Sequence, residues 1–276
     1  MHKITVHGHR GARGYLPENT IESFLLAIDM GATAIEMDVV LSADNRVVVS
    51  HEPWMHHAIC TKPDGTFVGL EEEKSLNLFK MNYNQIAEFD CGKRGNVKFP
   101  QQKHLPAQKP LLDDVILAVE NYTRLNKLNP IIYNIETKCA RSTEGIFHPA
   151  YDIFTQLVYD CCAKQNVIDR CIFQSFDERN LIYLKNLDKR IQLSLLSEYE
   201  INLELAIESM GFTPHYFSVL HTLLNEELVA LIKKLGMEIL CWTVNSTEDI
   251  RRMKQLGVDG IISDYPDRVI NILAED

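Results

Sequence analysis

Two carboxylates interrupt an apolar stretch in the first part of the chain. Residues 34–41 read Ala-Ile-Glu-Met-Asp-Val-Val-Leu, a pattern typical of a buried strand. Because side chains alternate along a strand, Glu36 and Asp38 project from the same face. Two buried carboxylates repel each other, and a hard divalent cation relieves that repulsion because it prefers carboxylate oxygens. The stretch therefore predicts a strand that binds a divalent cation.

A histidine follows the next apolar run. Polar residues 42–45 form a turn signal, and residues 46–50 predict a second strand that pairs with the first as a hairpin. A loop of two residues pairs His51 with Asp38, and a loop of four residues pairs it with Glu36. An odd loop or a bulge turns His51 to the other face. An even loop places this imidazole beside the cation site, where it can transfer protons.

Further polar residues that could complete the site come from two other segments. His9 and Arg10 lie in a glycine-rich loop that follows the first predicted strand. Glu136 and Lys138 share one face of a predicted strand at residues 131–138. Lys138 could instead serve only as a structural ion-pair partner of Glu136.

Together these side chains suit metal-assisted attack on a phosphoryl group. A cation held by Glu36, Asp38 and Glu136 would polarise phosphorus and neutralise charge in the transition state. Arg10 and Lys138 would bind the remaining phosphate oxygens, with the arginine as a two-pronged donor. One of the two histidines would act as base toward the nucleophile, and the other as acid toward the leaving alkoxide.

Strand-like and helix-like segments alternate along the whole chain. We predict eight strands, at residues 4–8, 34–41, 131–138, 171–175, 191–196, 215–219, 238–244 and 260–263. Predicted helices between them include residues 112–127, 151–163, 178–187, 203–209, 226–235 and 247–256. This alternation indicates a single (β/α)₈ TIM barrel domain over residues 1–276, with a small insertion at about residues 52–110 after the second barrel strand. A doubly wound open sheet is the alternative, but the loop after the first strand does not fit its phosphate-binding fingerprint.

Functional sites of such barrels lie at the carboxyl ends of the strands. Gln174 and Trp242 fall near such ends, and we assign both to substrate binding, although Trp242 could also be a core residue. The acidic run at residues 71–73 is assigned to a solvated surface. Five other histidines are assigned to packing or to the surface, namely His7, His56, His57, His104 and His148.

The net charge of −10 argues against nucleic acid and anionic membranes as partners, because both require a basic surface. A small-molecule phosphodiester is compatible with this charge, since a metal and a few cations can meet its phosphate locally. No apolar run reaches transmembrane length, so we expect no stable membrane insertion. These patterns leave the oligomeric state open.

The seven cysteines show no close CxxC pattern. We expect reduced, mostly buried thiols in a reducing compartment, and therefore a cytoplasmic location. The segment from Met1 to Gly8 is too short for a signal peptide. A periplasmic location is the alternative if a leader has been removed.

Six short motifs are distributed from one end of the chain to the other. They are His9-Arg10-Gly11, Pro17-Glu18-Asn19-Thr20, Glu36-Met37-Asp38-Val39, Val48-Val49-Ser50-His51, Asn134-Ile135-Glu136-Thr137-Lys138 and Ser263-Asp264-Tyr265-Pro266-Asp267. In combination they resemble the glycerophosphodiester phosphodiesterase family, a phospholipase-C-like phosphodiesterase barrel. The resemblance implies hydrolysis of glycerophosphodiesters to sn-glycerol 3-phosphate and an alcohol. It also implies one Mg²⁺ or Ca²⁺ ion, with His9 and His51 as the acid–base pair.

The chain departs from the family pattern directly after His51. Glu52 stands where the family usually has aspartate, and residues 53–62 are atypical. Both departures fall near the side that binds the alcohol, so the identity of the alcohol is left open. Two other interpretations remain: a phospholipase-type barrel for lipid phosphodiesters, which favours an exposed apolar rim, and a barrel that only binds a phosphorylated ligand. The presence of both histidines disfavours the second.

Overall fold

Parallel strands close into a barrel in the computed structural model of the chain, which describes residues 4–275. The strands are β1 Thr5–His9, β2 Ala34–Leu41, β3 Val47–Val49, β4 Ile132–Thr137, β5 Cys171–Ser175, β6 Gln192–Ser197, β7 Tyr216–Leu220, β8 Glu238–Trp242 and β9 Gly260–Ser263. Their order is β1-β9-β8-β7-β6-β5-β4-β2, and pairing of β1 with β2 closes the ring. Strand β3 pairs with β2, in antiparallel orientation. The predicted (β/α)₈ barrel is confirmed.

Helices pack around the outside of the barrel. The α-helices are α1 Ile21–Asp29, α2 Tyr83–Ile86, α3 Leu112–Leu125, α4 Tyr151–Lys164, α5 Glu178–Leu187, α6 Leu203–Met210, α7 Glu226–Lys234, α8 Thr247–Leu256 and α9 Pro266–Leu273. Short 3₁₀ helices occupy Glu73–Ser75, Leu78–Lys80, Arg141–Thr143, Ile168–Arg170 and His221–Leu223. Helix α9 is absent from the predicted set. Its first residue, Pro266, resembles a chain breaker in sequence, but its fixed φ suits a helix start.

The two faces of β2 lie in different environments, as the alternation of its side chains predicts. Ile35, Met37 and Val39 join the main apolar core, which lies between the barrel and its helices. Glu36 and Asp38 point the other way, into the barrel, and are 2% and 1% exposed. This strand therefore brings two carboxylates into the centre of the fold.

The hairpin of β2 and β3 has one of the registers that the sequence left open. Val39 lies opposite Val49 and Leu41 opposite Val47. Ser42 and Arg46 close the turn, with the Ser42 N–H donating to the Arg46 carbonyl at 3.0 Å, so the loop has three residues. Of the loop lengths that the sequence left open, the odd one is observed. Three-residue loops with one residue at positive φ are a common hairpin solution, and Asn45 supplies it at 57°.

An odd register would turn His51 away from the carboxylates if β3 continued. Strand β3 ends at Val49, however, and the chain then bends away from β2. The Ser50 N–H still donates to the Asp38 carbonyl at 2.9 Å, and Ser50 Oγ donates to the Glu52 carbonyl at 2.7 Å. His51 therefore reaches the site through a bend in the loop, and strand alternation does not place it.

The insertion lies between β3 and α3, where it was predicted. It contains helix α2 and two of the short 3₁₀ helices. A second, smaller apolar cluster holds it against Val40 and Val48, and its other members are Met55, Ile59, Cys60, Val68, Leu78, Ile86, Phe89, Cys91 and Leu111. The insertion therefore has its own small core beside the carboxyl end of β2.

No helix among residues 4–275 is long and apolar enough to cross a membrane. The seven cysteines, which all fall in this range, are free thiols, and six of them are buried, as predicted. Residues Met1–Lys3, which enter the prediction about a leader, lie outside the described residues, as does Asp276.

Candidate active site

Three carboxylates from two adjacent strands meet inside the barrel. In the parallel pairing of β2 with β4, Asp38 lies opposite Glu136, and Glu36 is two residues earlier on the same face. One carboxylate oxygen from each of Glu36, Asp38 and Glu136 lies within 4.8 Å of the other two. All three residues are buried. The structure therefore brings together the three predicted metal ligands.

The electrostatics of this cluster show an excess of negative charge. Burial, together with the carboxylates of Asp38 and Glu136, raises the pKa of Glu36 well above its usual range. Burial also raises the pKa of Glu136. Asp38 is also buried, but the charges of Arg10 and Lys138, the ring of His51 and the Asn19 hydrogen bond together outweigh burial and hold the pKa of Asp38 far below its usual range. An all-oxygen donor set with this unbalanced charge fits a hard divalent cation.

Arg10 and Lys138 lie on either side of the carboxylates. Arg10 Nε is 3.2 Å from Asp38 Oδ2, and its backbone N–H donates to Glu36 Oε2 at 3.0 Å. Lys138 Nζ is 2.6 Å from Glu136 Oε1 and 3.7 Å from Asp38 Oδ1. The ion pair considered for Lys138 and Glu136 is thus present. Both cations also line the same cavity, which is open to an anionic ligand.

His9 ends strand β1 and is held by the carboxylate of Asp264, the residue directly after the last barrel strand. Its Nδ1 is 2.7 Å from Asp264 Oδ1, so the Nδ1 proton is donated to that carboxylate. Its Nε2 is on the side of Glu36, 4.0 Å from Oε2. Burial, with a further contribution from the Arg13 cation, lowers the pKa of His9 to about 4. His9 is therefore a neutral imidazole at pH 7 whose Nε2 can accept a proton.

His51 lines the same cavity and has a different setting. Its Nδ1 is 2.5 Å from Glu52 Oε2, so a neighbouring residue in the loop supplies its carboxylate. The buried Lys109 ammonium donates to Ser50 Oγ at 2.7 Å and thereby fixes the bend just before His51. This geometry presents a second histidine, with one nitrogen already engaged, to the same cavity.

The cavity has a volume of about 380 Å³ and includes both residues that were assigned to substrate binding. Gln174 Nε2 donates to Glu36 Oε1 at 3.0 Å, so this amide contacts a predicted metal ligand directly. Trp242 lines the wall and packs edge-to-face on Phe176, with ring centroids 6.0 Å apart. A larger groove of about 790 Å³ runs along the insertion, but none of the predicted site residues is among the residues that line it.

The chain is similar to one family of known proteins over most of its length. A profile of the Glycerophosphoryl diester phosphodiesterase family matches residues 9–268. The chain belongs to this family. The resemblance predicted from the six motifs is therefore confirmed, and with it the assignment to a family of phosphodiesterase enzymes.

Individual family members are similar over their full lengths. A glycerophosphodiester phosphodiesterase from Caldanaerobacter subterraneus subsp. tengcongensis is 29% identical over 275 residues, covering 98% of each chain. A crystal structure from Silicibacter pomeroyi DSS-3, assigned as a glycerophosphoryl diester phosphodiesterase, superposes with a TM-score of 0.87 at 30% identity, covering 98% of this chain and 93% of that one. A phosphodiesterase from Oleispira antarctica, solved with the product sn-glycerol-3-phosphate, shares the fold with a TM-score of 0.77 at 21% identity, covering 98% of this chain and 96% of that one.

Several polar residues around the phosphodiesterase cavity are missing from the predicted site. Asp264 holds His9 and also pairs with Arg13 Nε at 2.7 Å. Asn19 Nδ2 donates to Asp38 Oδ2 at 2.9 Å, and Glu18 accepts from Arg10 Nη1 at 2.8 Å. All but Arg13 belong to the motifs that carry the family resemblance, so motif membership was the signal that could have identified them.

The histidines and acidic run outside the site are partly as predicted. His7 is fully buried beneath the carboxylates, and burial lowers its pKa to about 3, which agrees with a packing role. His148 is also buried, and His104 is exposed.

Glu71 is exposed, but Glu73 is only 6% exposed, so the assignment of the whole acidic run at residues 71–73 to the solvated surface is wrong. Glu73 faces inward because the His57 backbone N–H and ring hold its carboxylate.

Proposed function

We propose that the protein hydrolyses glycerophosphodiesters to sn-glycerol 3-phosphate and an alcohol, using one divalent cation, Mg²⁺ or Ca²⁺. The observation that carries this proposal is the cluster of three buried carboxylates beside a cavity that Glu36, Glu136 and two carboxylate-held histidines line. Family membership supports the substrate class, and the Oleispira protein with bound sn-glycerol-3-phosphate supports the product. In the net reaction, water supplies one oxygen to phosphorus, and the P–O bond to the alcohol breaks.

Glu36, Asp38 and Glu136 would hold the cation, which when bound supplies Lewis-acid polarisation of the phosphoryl group. Mg²⁺ and Ca²⁺ both favour oxygen donors, and the three side chains offer only oxygen. Arg10 and Lys138 bind the phosphate oxygens that remain. Arg10 is preorganised for this role because Glu18 and Asp38 each anchor one side of its guanidinium.

Proton transfer is divided between the two histidines. His9 is the base, because its lowered pKa of about 4 leaves Nε2 unprotonated at neutral pH while Asp264 holds Nδ1. His51 is the acid, and its Nε2 protonates the leaving alkoxide while Glu52 holds Nδ1. In-line displacement requires these two groups on opposite sides of phosphorus, and β1 and the loop after β3 approach the cavity from different directions.

Gln174 and Trp242 complete the substrate-binding surface. The Trp242 ring and its neighbour Phe176 offer an apolar wall for the organic part of the substrate. The free thiols favour a reducing compartment, which supports a cytoplasmic location. The substrate in this proposal is a small diffusible phosphodiester. The net charge of −10 argues against nucleic acid and anionic membranes as partners.

The decisive experiment is an assay of purified protein on a panel of glycerophosphodiesters with choline, ethanolamine, inositol, serine and glycerol as the alcohol. Release of sn-glycerol 3-phosphate is measured with and without a chelator, and after return of Mg²⁺ or Ca²⁺. We expect activity that the chelator abolishes and one of the two ions restores. Activity only on lysophospholipids in micelles would favour the phospholipase-type interpretation, and full activity in chelator would contradict the metal.

The ligand set itself is tested by calorimetric titration of metal-free protein with Mg²⁺ and Ca²⁺. We expect one site, weakened at least about 100-fold in Glu36→Gln and in Glu136→Gln, because each substitution removes a charged oxygen donor. Glu120→Gln is the matched control, because Glu120 pairs with Arg170 outside the cavity. Equal affinity in all the proteins would refute the ligand assignment.

A further inference from the structure

The insertion contains a second cluster of metal-ligating side chains, outside the cavity that was described above. His56 and His57 follow each other in the loop after β3, and Glu73 begins a 3₁₀ helix across from them. Glu73 Oε2 is 2.7 Å from His57 Nδ1 and 3.9 Å from His56 Nε2. One ligand atom from each of the three residues lies within 4.8 Å of the other two. Two imidazoles and one carboxylate thus converge on one point.

The carboxylate in this cluster is buried without a lysine or arginine partner among the described residues. Glu73 is only 6% exposed, and its ion-pair partners are the two histidines. The neighbouring Lys74 lies over the Trp54 ring instead, 5.5 Å from its centroid. Burial opposes the charge on Glu73, but the His57 N–H and ring lower its pKa, so it is ionised. A buried carboxylate whose close polar partners are two imidazoles, with no lysine or arginine beside it, offers a favourable position for a cation.

We propose that His56, His57 and Glu73 bind a second metal ion, of the zinc class, with water in the remaining position. Two imidazoles and a carboxylate are a common protein ligand set for zinc, and nitrogen donors favour Zn²⁺, Co²⁺, Ni²⁺ and Cu²⁺ over Mg²⁺ and Ca²⁺. The His56 and His57 side chains are 28% and 34% exposed, so an ion can enter from solvent. This proposal does not depend on the proposed phosphodiesterase reaction.

The donor atoms separate the two metal sites chemically. The cluster in the barrel offers three carboxylates, whereas this one offers two nitrogens and one oxygen. The loop that carries His56 and His57 is already tied to the opposite segment, because the Met55 N–H donates to the Leu76 carbonyl at 3.0 Å and the Leu78 N–H donates to the Pro53 carbonyl at 2.9 Å. Little rearrangement of the backbone is therefore needed for the three side chains to close on an ion.

The test is a titration of the full-length, metal-free protein with Zn²⁺ or Co²⁺ in excess Mg²⁺, which keeps the oxygen site occupied. We expect one tight site per chain that Mg²⁺ does not displace. Affinity should fall at least about 100-fold in His57→Ala and in Glu73→Gln. Glu73→Gln keeps an oxygen that accepts the His57 N–H, so it serves if His57→Ala does not fold. His104→Ala, an exposed histidine of the insertion, is the matched control and should bind normally.

A spectroscopic readout distinguishes the two sites directly. Cu²⁺ bound to this cluster should give an electron paramagnetic resonance spectrum with coupling to two nitrogens, and His57→Ala should remove one of them. Mg²⁺-dependent activity of His57→Ala should match that of the unmodified chain. Unchanged Zn²⁺ affinity in both His57→Ala and Glu73→Gln, or Zn²⁺ binding that Mg²⁺ displaces, would overturn the proposal. In that case the cluster is only an ion pair that orients the loop.

Discussion

The two histidine–carboxylate pairs beside the cavity are built in different ways. His9 ends β1, Asp264 directly follows the neighbouring strand β9, and their side chains are 11% and 2% exposed. His51 and Glu52 are adjacent in a loop, and their side chains are 30% and 24% exposed. One pair is positioned by the closed sheet, and the other by the loop that leads into the insertion.

This difference bears on the chemistry that each side can perform. Burial keeps His9 neutral, which suits a base, and the barrel fixes its ring through Asp264. The side of His51 is more open and borders the atypical segment after Glu52, which suits contact with a variable leaving alcohol. The contrast teaches that a barrel can keep one half of an acid–base pair constant while a loop adapts the other half.

The strongest test of this comparison uses two substrates. His9→Ala and His51→Ala should each lower kcat/KM on an alkyl glycerophosphodiester by roughly 10²–10⁴-fold. On a p-nitrophenyl ester, whose leaving phenolate needs no proton, the loss in His51→Ala should be much smaller, whereas the loss in His9→Ala should persist. Steady-state kinetics of both variants on both esters provides the measurement. Identical losses on the two esters would break the division into base and acid.

The two carboxylates should also differ in importance. Asp264→Asn should lower kcat on the alkyl ester by about 10–100-fold, because Asp264 fixes His9 and also anchors Arg13 and Asn245. Glu52→Gln should lower kcat less, because the Glu52 side chain is more exposed and holds a single ring nitrogen, His51 Nδ1. Thermal unfolding of both variants checks that the folds are intact. A larger loss for Glu52→Gln than for Asp264→Asn would reverse the comparison.

Substitution of the two basic residues beside the carboxylates, Arg10 and Lys138, should have smaller effects on kcat/KM. Arg10→Lys should lower kcat/KM by about 10-fold although the charge is kept, because the planar fork between Glu18 and Asp38 is lost. Lys138→Met should weaken phosphate binding more than metal binding, which inhibition by sn-glycerol 3-phosphate and calorimetry can separate. If kcat/KM is intact in Lys138→Met, Lys138 is only the structural partner of Glu136.

The burial of His9 should make the stability of the protein sensitive to acid. The pKa of His9 is about 4 in the folded chain and 6.5 in the unfolded one, so between these values only the unfolded chain binds the proton. The free energy of unfolding should therefore fall as the pH falls through this window, by up to about 1.4 kcal/mol per pH unit from this group. The free energy of unfolding, measured with urea at pH 6.5, 5.5 and 4.5, should change less steeply with pH in His9→Gln than in the unmodified chain. An unchanged slope would mean that His9 already binds its proton in the folded state.

The parts of the site that depend on local pattern could be predicted from the sequence. Glu36 and Asp38 share a face because alternation along a strand is independent of the rest of the fold, and the strand itself ends where it was expected. The eightfold alternation of segments was likewise enough to indicate the barrel. The sequence left the hairpin register before His51 open, because loop length is set by the turn geometry of Ser42 and Arg46.

Two contacts between a carboxylate and a histidine were not predicted. Asp264 becomes the partner of His9 only when β9 pairs with β1, so its motif could mark Asp264 as a site residue but could not name its partner. Glu73 is buried because the irregular insertion folds back on His57, although its own neighbours in sequence are charged. In both cases a carboxylate acquires its role from a histidine that is elsewhere in the chain.

The hydrogen bond between His9 and Asp264 joins residues that are 255 positions apart. During synthesis the amino-terminal histidine leaves the ribosome long before its partner does, so a nascent chain can form most of the strands while its proposed base remains unoriented. Pairing of β1 with β9 both completes the barrel and positions this base. Catalytic competence should therefore arise late in folding. It should appear only when the ring closes and Asp264 orients the base.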